Sequence, residues 1–537
     1  MGDTNRSIVV QVVLETTEGS CWERCFEAVI QALVATAAEG TATSWRVLLG
    51  VPDGPSKDAR SLLLPFERKA REAGGAFEIR ALNADDRGWL GHDRLSNSGS
   101  EDVILMIDPH VMILESTVTR MLRSLSVSGA AVRARQLPLD ASNFNPKIME
   151  DGPLCLMVTR DAINAGASQS GWIRQVHAEC PEAAIFADRR LPAPPSVVPR
   201  HTVTRGESLL DWVPLEEAPD ASPQRNVAPF LSVVMRTQGA RPEALREALL
   251  CLAGQSDGRF EVLLVVHDRD PAFATRIHND QPEWLKSRTR VIVASGGTRS
   301  HPLNVGIRNA AGSNVAFLDD DDLVLAHWVE SFLATARFHP HTLLRALAGV
   351  QQVTSETWPS GLFGHVSASQ ISTPYPVVFD LIGHLRVNMT PFMSLAFPRA
   401  FFATFGGADE KLEVCEDWDL VLRAASVLGV ADIPAVTAIY RRWISGEDSY
   451  STHTAAIWAR DMAMVLRKLN LAPILLPAGF AAELRALPEL RAASAELTVV
   501  RNSSSWKVTA PLRSIFRQAT LARRAFRRRY RRSDERA

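Results

Sequence analysis

Short apolar runs alternate with stretches of helical periodicity along most of the chain. In the first half, apolar runs begin at Ile8, Trp45 and Val103, and residues 22–38 carry apolar positions at helical spacing between the first two runs. Strands separated by helical stretches are typical of a mostly parallel sheet with crossover helices. The pattern therefore predicts an α/β fold.

The same order of elements starts again in the second half. Strands are predicted over residues 231–235, 261–266, 290–294 and 315–318, and helices over residues 242–252 and 304–311. Three segments of the first half resemble segments of the second in the same order: 48–53 and 263–268, 103–108 and 314–319, 155–160 and 394–399. We therefore expect two tandem copies of one α/β domain.

Changes in composition predict where these domains end. Eight prolines and little periodicity between residues 191 and 229 are typical of a linker. The predicted organisation is a first α/β domain over 1–190, the linker over 191–229, a second α/β domain over 230–445, a helical extension over 446–500 and a basic tail over 501–537.

Composition places the chain among ordinary soluble globular proteins, with 46% hydrophobic and 22% charged residues in 537. The six cysteines form no CxxC pair and no zinc spacing, so we expect reduced thiols in a cytosolic protein. We expect no signal peptide, because no basic segment precedes an apolar stretch at the N-terminus. The apolar segment 471–480 is too short to span a bilayer.

Positive charge is concentrated at the C-terminal end. Residues 513–537 carry ten arginines and two acids, a net charge of +8, which leaves −9 on the rest of the chain. Apolar positions at helical spacing would share one face of a helix: Ile515, Ala519, Ala522, Phe526 and Tyr530. We expect peripheral contact with an anionic membrane. Nucleic acid is the competing partner, and a merely solvated tail is the simplest alternative.

The strongest candidate for chemistry is the acid quartet, residues 319–322, four consecutive aspartates after the apolar strand 315–318. Adjacent buried anions repel one another, and a divalent cation would relieve that repulsion. Side chains alternate along an extended segment, so Asp319 and Asp321 are expected to point the same way and hold Mg²⁺ or Mn²⁺ with substrate phosphates. Alternatively, Asp322 caps a helix beginning near Leu323.

A second acidic cluster follows about a hundred residues later. Gly406 and Gly407 permit a tight turn, and Glu416, Asp417 and Asp419 are predicted in the first turn of a helix, where the helix dipole favours anions. Such helix starts are common without any function. In the functional interpretation, one of these carboxylates is a general base at the end of a pocket.

Together these features resemble the family 2 glycosyltransferases of the GT-A fold over residues 230–445. The motifs that carry the resemblance are the strand 231–237, Asp268 after the second strand, Asn304 with Gly306, the acid quartet, and residues 406–420. The sequence departs from the family at Arg236, where the family often has proline, and at His267, where it often has a second acid.

The resemblance implies roles for individual residues. Asp319 and Asp321, with Asp322 near them, would hold Mg²⁺ or Mn²⁺ on the diphosphate, and Asp417 would be the base, supported by Glu416. The residues expected on the substrate side are Thr237, Asp268, Asn304, Asp320 and Trp418, with Asp268 contacting the nucleoside of a sugar nucleotide.

The reaction that this resemblance implies is transfer of a sugar, in the hexosyltransferase class, from a nucleotide sugar to a glycan or lipid-linked acceptor, with inversion. A segment over residues 503–513 is similar to one in bacterial enzymes of surface polysaccharide synthesis, which implies a bacterial source and a cell-envelope glycan. With the arginine-rich tail, we expect a location in the cytoplasm at the inner face of the plasma membrane. The alternatives are a nucleotidyltransferase and a non-catalytic glycan-binding or scaffold protein.

The first half resembles the same family more faintly. It has one carboxylate, Asp108, where the second half has four, and the acids are missing around Trp172, which aligns with Trp418. We therefore expect the first half to be a degenerate, inactive copy.

Overall fold

The structure is a computed structural model, and it describes most of the second half and the main elements of the first. The described residues are 6–13, 21–52, 57–82, 103–107, 111–128, 131–137, 155–159, 179–186, 229–358, 361–444 and 453–471, with residues 496, 498, 499, 503 and 506. The chain divides into two compact units, Met1–Leu475 and Leu476–Ala537, and both β-sheets belong to the first unit.

The first sheet has eight strands and is accompanied by three described helices. Its strands are β1 (Arg6–Val13), β2 (Ala42–Pro52), β3 (Ala76–Leu82), β4 (Val103–Ile107), β5 (Met112–Ile113), β6 (Ala131–Leu137), β7 (Cys155–Thr159) and β8 (Glu179–Phe186). The helices are α1 (Cys21–Ala38), α2 (Lys57–Glu72) and α3 (Thr117–Ser128).

The second sheet has nine strands. They are β9 (Leu231–Thr237), β10 (Phe260–His267), β11 (Thr289–Ala294), β12 (Asn314–Phe317), β13 (Leu323–Val324), β14 (Leu343–Thr357), β15 (Phe363–Ser367), β16 (Leu395–Pro398) and β17 (Val430–Trp443).

Helices connect and flank these strands. They are α4 (Pro242–Ala253), α5 (Ala272–Asn279), α6 (Glu283–Lys286), α7 (His301–Asn309), α8 (Trp328–Ala336), α9 (Leu381–His384), a 3₁₀ turn (Phe392–Ser394), α10 (Arg399–Phe405), α11 (Glu416–Leu428) and α12 (Ala455–Leu471).

Both sheets have the same strand order and the same strand directions. The first runs β3-β2-β1-β4-β7-β6-β8-β5 and the second β11-β10-β9-β12-β16-β14-β17-β13, with β15 added beside β14. In each, four neighbouring parallel strands are followed by an antiparallel strand at the position of β7 or β16. The mixed α/β class with two mostly parallel sheets is therefore confirmed, and the shared topology agrees with the predicted repeat.

The register of the strands agrees with the repeat as well. Leu105 of β4 lies opposite Met157 of β7, and the residues aligned with them by sequence, Ala316 and Ala396, lie opposite each other in the second sheet. A slip of one residue would have exchanged the two faces of a strand, so this agreement is specific. The short sequence similarities therefore mark equivalent positions.

One expectation about the quartet is wrong. No helix begins near Leu323: residues Leu323 and Val324 form β13, which pairs antiparallel with β17, and helix α8 begins at Trp328. The side chain of Asp322 consequently caps no helix. The competing strand pairing joins residues more than a hundred positions apart, which a local pattern does not reveal.

Several expectations fall on residues outside the described ranges. They include nearly all of the linker 191–229, Asp108, the segment around Trp172 and the basic tail beyond residue 506. The helical extension is supported over α12. The four cysteines described as free thiols, Cys25, Cys155, Cys251 and Cys415, are all buried. None of the helices described by the structure is both long and apolar enough to cross a membrane.

The two halves meet along helices α4 and α5. Arg120 of α3 donates to Glu243 of α4 at 2.9 Å, and the backbone N–H of Ser116 donates to Asp280 after α5 at 2.8 Å. One apolar cluster contains side chains from both sheets. The first half therefore packs directly against the helix that follows the opening strand of the second.

Glu247 of α4 pairs with groups from both halves in this interface. Its buried carboxylate accepts from Arg135 of β6 and from Arg441 Nη2 at 2.6 Å, and it lies 2.9 Å from Nε2 of His365. Although burial opposes it, the charges of Arg135, His365 and Arg441 hold the pKa of Glu247 well below its usual value. The carboxylate is therefore ionised and shared between the two halves.

We expect Glu247→Gln to reduce the free energy of unfolding by about 3–5 kcal/mol, because removing one partner leaves the buried guanidinium groups without compensation. Glu78→Gln is the matched control, since Glu78 is 42% exposed and pairs with Arg46 at 3.2 Å. Glu78→Gln is expected to reduce the free energy of unfolding by less than about 1 kcal/mol. Urea titration followed by tryptophan fluorescence measures both, and equal losses would contradict this assignment.

Candidate active site

The carboxyl ends of β9 and β12 define the centre of the site. The two strands are adjacent and parallel, with Phe317 opposite Val234, so the residues after them emerge at one edge of the sheet. Arg236 and Thr237 close β9, and the acid quartet follows β12. Ligands of open α/β sheets bind at this edge.

The quartet forms a turn and not an extended segment. The N–H of Asp322 donates to the carbonyl of Asp319 at 3.3 Å, so the expected alternation of side chains does not hold. Asp319 pairs with Arg236 at 2.9 Å, whereas Asp321 pairs with Arg241. The two carboxylates that were expected to share one direction are each held by a different guanidinium.

The remaining bonds of the quartet come from the strand ends around it. The hydroxyl of Thr237 donates to Asp320 at 2.5 Å, and the indole N–H of Trp443 donates to Asp321 at 2.7 Å. The backbone N–H of Arg441 donates to Oδ1 of Asp322 at 2.8 Å.

Burial and mutual repulsion nevertheless disfavour the ionised forms of three of the quartet's carboxyl groups. Burial, followed by repulsion from Asp321, raises the pKa of Asp320 to about 7. Burial and neighbouring carboxylates also raise the pKa of Asp322, and burial raises that of Asp321 against the opposing charge of Arg241. Oδ2 of Asp322 is buried without a hydrogen-bond partner among the described residues. A positive charge placed near these carboxylates would favour their ionised forms.

The second acidic cluster begins α11, as predicted. Cys415 has a left-handed backbone (φ 64°) just before the helix, which turns the chain so that Glu416 and Asp417 enter its first turn. Glu416 is buried, accepts a hydrogen bond from Arg236 Nη1 at 2.7 Å and forms an ion pair with Arg299, whose Nε lies 3.0 Å away. Although burial opposes it, Arg299 and Arg236 hold the pKa of Glu416 below its usual value.

Asp417 has a different environment from its neighbour. Its carboxylate accepts from Asn388 Nδ2 at 2.8 Å and from the N–H of Trp418 at 2.7 Å, with no guanidinium bonded to it among the described residues. Burial and repulsion from Glu416 raise the pKa of Asp417 to about 6. Of the two adjacent acids, Asp417 has the pKa suited to accepting a proton near neutral pH.

Two predicted substrate-side residues make structural contacts. Trp418 is buried and donates its indole N–H to the carbonyl of His384 at 2.6 Å. Asn304 of α7 accepts from the N–H of Ala408 at 2.8 Å and donates to the carbonyl of the same residue at 2.9 Å. These contacts tie α9 and α7 to the region of the second acidic cluster.

Asp268 lies where the nucleoside contact was predicted, directly after β10. It has a left-handed backbone (φ 52°), and its half-exposed carboxylate accepts from the N–H of Gly296 at 2.7 Å. A non-glycine residue in this conformation is uncommon and often marks a functional position. Asp268 therefore stays a candidate for ligand contact.

Helix α12 supports the loop that carries the second cluster. Asp461 accepts from the N–H groups of Glu413 and Val414 at 2.7 and 2.9 Å, and Lys468 donates to Asp419 at 2.8 Å. The helical extension is thus part of the framework around the candidate base.

Residues that the sequence reasoning missed complete the site: Arg241, Arg299, Asn388, Arg441 and Trp443. Arg241 precedes Pro242 at the start of α4, and the Arg-Pro boundary is the local signal that could have drawn attention to it. Trp443 and Asn388 carry no such signal, because tertiary structure alone brings them to the acids.

Comparison with known proteins agrees with this geometry. Residues 232–393 match the model of the family "Glycosyl transferase family 2". The resemblance to that family is therefore confirmed over this part of the chain, which contains the acid quartet; Glu416 and Asp417 follow it.

Among solved structures, the chain is similar to S. aureus TarS (residues 1–349) in complex with UDP-GlcNAc, with 17% identity, a TM-score of 0.33, and coverage of 44% of this chain and 66% of that chain. A second TarS structure, in complex with UDP, has 18% identity and a TM-score of 0.28, and the match covers 40% of this chain and 60% of that chain. The chain thus spans less than two thirds of the length of either TarS chain. No curated protein sequence matches the chain.

Proposed function

We propose that the chain is an inverting glycosyltransferase that moves a sugar from a nucleotide donor to a hydroxyl of a glycan or lipid-linked acceptor. The observation that carries the proposal is the convergence of two acidic clusters, about a hundred residues apart in sequence, on the side chain of Arg236. One cluster suits a diphosphate-bound cation and the other offers a base. The family match over residues 232–393 supports the same reaction class.

A divalent cation, Mg²⁺ or Mn²⁺, fits the quartet chemically. Carboxylate oxygens are its preferred ligands, and the raised pKa of Asp320 and the unpartnered Oδ2 of Asp322 indicate unrelieved negative charge. Within the described ranges, no group of three or more His, Cys, Asp or Glu side chains is arranged to hold a metal. Side chains alone thus form no complete cation site there, and we propose Asp319, Asp321 and Asp322 as ligands that would act only together with diphosphate oxygens.

When bound, the cation would stabilise the charge that develops on the departing nucleoside diphosphate. Asp417 would remove the proton from the acceptor hydroxyl, while Asn388 orients its carboxylate. Thr237 and Asp268 would lie on the donor side. A single displacement assisted by one base inverts the anomeric centre.

Incubation with a panel of UDP-, GDP-, dTDP- and CMP-sugars, with and without Mn²⁺, tests the proposal. Release of the free nucleotide, with transfer of the sugar to an acceptor or to water, supports it. Release of pyrophosphate from a nucleoside triphosphate and a sugar phosphate would indicate a nucleotidyltransferase. Glycan binding without either reaction would indicate a binding or scaffold protein.

We expect Asp321→Asn to abolish turnover and to weaken metal-dependent binding of the donor, because it removes a carboxylate from the proposed cation site. Calorimetry with and without Mn²⁺ measures the binding. Asp257→Asn is the control, since Asp257 pairs with Arg259 away from the quartet. Unchanged metal-dependent binding by the Asp321 variant would contradict its assignment.

Asp417→Asn should lower turnover by about 10²-fold or more while leaving donor affinity similar, because a base acts on the acceptor proton and need not bind the donor. Wild-type turnover should also fall as the pH drops through about 6, since protonated Asp417 cannot accept a proton. A pH–rate profile with both proteins checks this. Near-normal turnover of the variant would exclude Asp417 as the base.

We also propose that the arginine-rich tail holds the enzyme at the inner face of the plasma membrane, where lipid-linked acceptors of surface polysaccharide synthesis would lie. Each basic residue near an anionic surface contributes about 1 kcal/mol, and the tail has ten arginines.

Full-length protein should therefore sediment with anionic liposomes, and protein truncated after Ala510 should not. Binding should increase with the anionic lipid content. Equal sedimentation of the two proteins, or binding that ignores lipid charge, would refute the membrane role.

A further inference from the structure

Arg236 is the residue at which the site departs most clearly from its family's usual sequence. It is the second-last residue of β9, and its side chain is 12% exposed. A guanidinium with so little solvent contact must be paired to be tolerated. Its partners therefore indicate what it does.

Those partners come from the two chemical ends of the site. Nε donates to Oδ1 of Asp319 at 2.9 Å, and Nη1 donates to Oε1 of Glu416 at 2.7 Å. Asp319 belongs to the proposed diphosphate side, and Glu416 precedes the proposed base in α11. The rigid, planar guanidinium of Arg236 thus bonds both the segment after β12 and the first turn of α11.

Arg299 completes this arrangement on the side of Glu416. Its Nε lies 3.0 Å from the same oxygen of Glu416, and its carbonyl accepts from Arg236 Nη1 at 3.1 Å. Two guanidinium groups therefore occupy Glu416, whereas Asp417 bonds to an amide and a backbone N–H. The two arginines thus hold Glu416 as a fixed carboxylate and leave the adjacent Asp417 able to accept a proton.

We propose, on the basis of the function proposed above, that Arg236 is a positioning residue for the transfer: by bonding Asp319 and Glu416 at once, it sets α11 and Asp417 at a fixed place relative to the donor diphosphate. Lysine supplies one compact charge and cannot reproduce the fork. Arg236 also occupies an oxygen of Asp319 that a cation would use.

Opposite effects on binding and turnover follow from this double role. Removing the charge in Arg236→Gln frees Asp319 and should tighten Mn²⁺ binding by about tenfold, as expected when a positive charge a few ångströms away is lost. The same change should lower kcat by at least about tenfold, because a small displacement of a catalytic group costs up to 10²-fold. Weakened folding alone would not strengthen metal binding.

Two arginine variants separate position from charge. Arg236→Lys keeps the charge but cannot bond Asp319 and Glu416 at the same time. We therefore expect kcat to fall while the acid limb of the pH–rate profile stays in place. In Arg236→Gln the acid limb should move to higher pH, because the charged groups that act on Asp417 are Glu416, Arg299 and Arg236.

Arg246→Lys is the matched control. Arg246 is similarly buried and pairs with Asp280 and Glu243, away from the site. It should lower the unfolding temperature without changing kcat.

The test uses the full-length protein, with Mn²⁺ titrations by calorimetry and donor turnover over pH 5–9. Tighter Mn²⁺ binding with slower turnover in Arg236→Gln supports the inference. Unchanged or weaker Mn²⁺ binding in folded Arg236→Gln, or wild-type kcat in Arg236→Lys, overturns it. If the wild type turns over no donor while Arg236→Gln still binds Mn²⁺ more tightly, the proposed function fails and the charge-sharing role of Arg236 stands.

Discussion

The concentration of negative charge at the carboxyl edge of the second sheet is the constraint on which the rest of the site depends. The quartet, Glu416 and Asp417 bring six carboxylates to this edge. Burial and mutual repulsion raise the pKa values of Asp320, Asp321, Asp322 and Asp417. Arg236 on β9, Arg241 just before α4 and Arg299 before α7 offset part of that charge. Their placement lowers the pKa of Glu416, while the pKa of its neighbour Asp417 is raised.

The first half contributes to this arrangement through its contact with α4. Arg135 reaches Glu247, and Glu247 in turn holds the side chain of Arg441 on β17. The backbone of Arg441 bonds Asp322, and Trp443 two residues later bonds Asp321. The two halves are therefore one packed body around α4, and the first half has a structural reason to be present whatever its own chemistry.

The pattern of apolar and polar residues along the chain was sufficient to predict the helices and strands and their duplication. Strand β4 begins at Val103, where the apolar run was found, and the aligned segments of the two halves occupy the same register. Both follow from alternation and helical spacing, which act between near neighbours. The two acidic clusters were likewise visible, since four consecutive aspartates and an acidic helix start are local features. The general fold and the main acidic groups of the site could thus be predicted.

The sequence by itself thus determined the α/β elements, their repetition and the acids at the strand and helix ends. Tertiary structure alone decided which cation meets which acid: Arg236 reaches Glu416 across 180 positions, and Trp443 reaches Asp321 across 122. It also replaced the helix expected near Leu323 by a strand and gave Trp418 a structural hydrogen bond. The physical reason is that ion pairs and strand pairings depend on the order of strands in the sheet, to which distant parts of the chain contribute together.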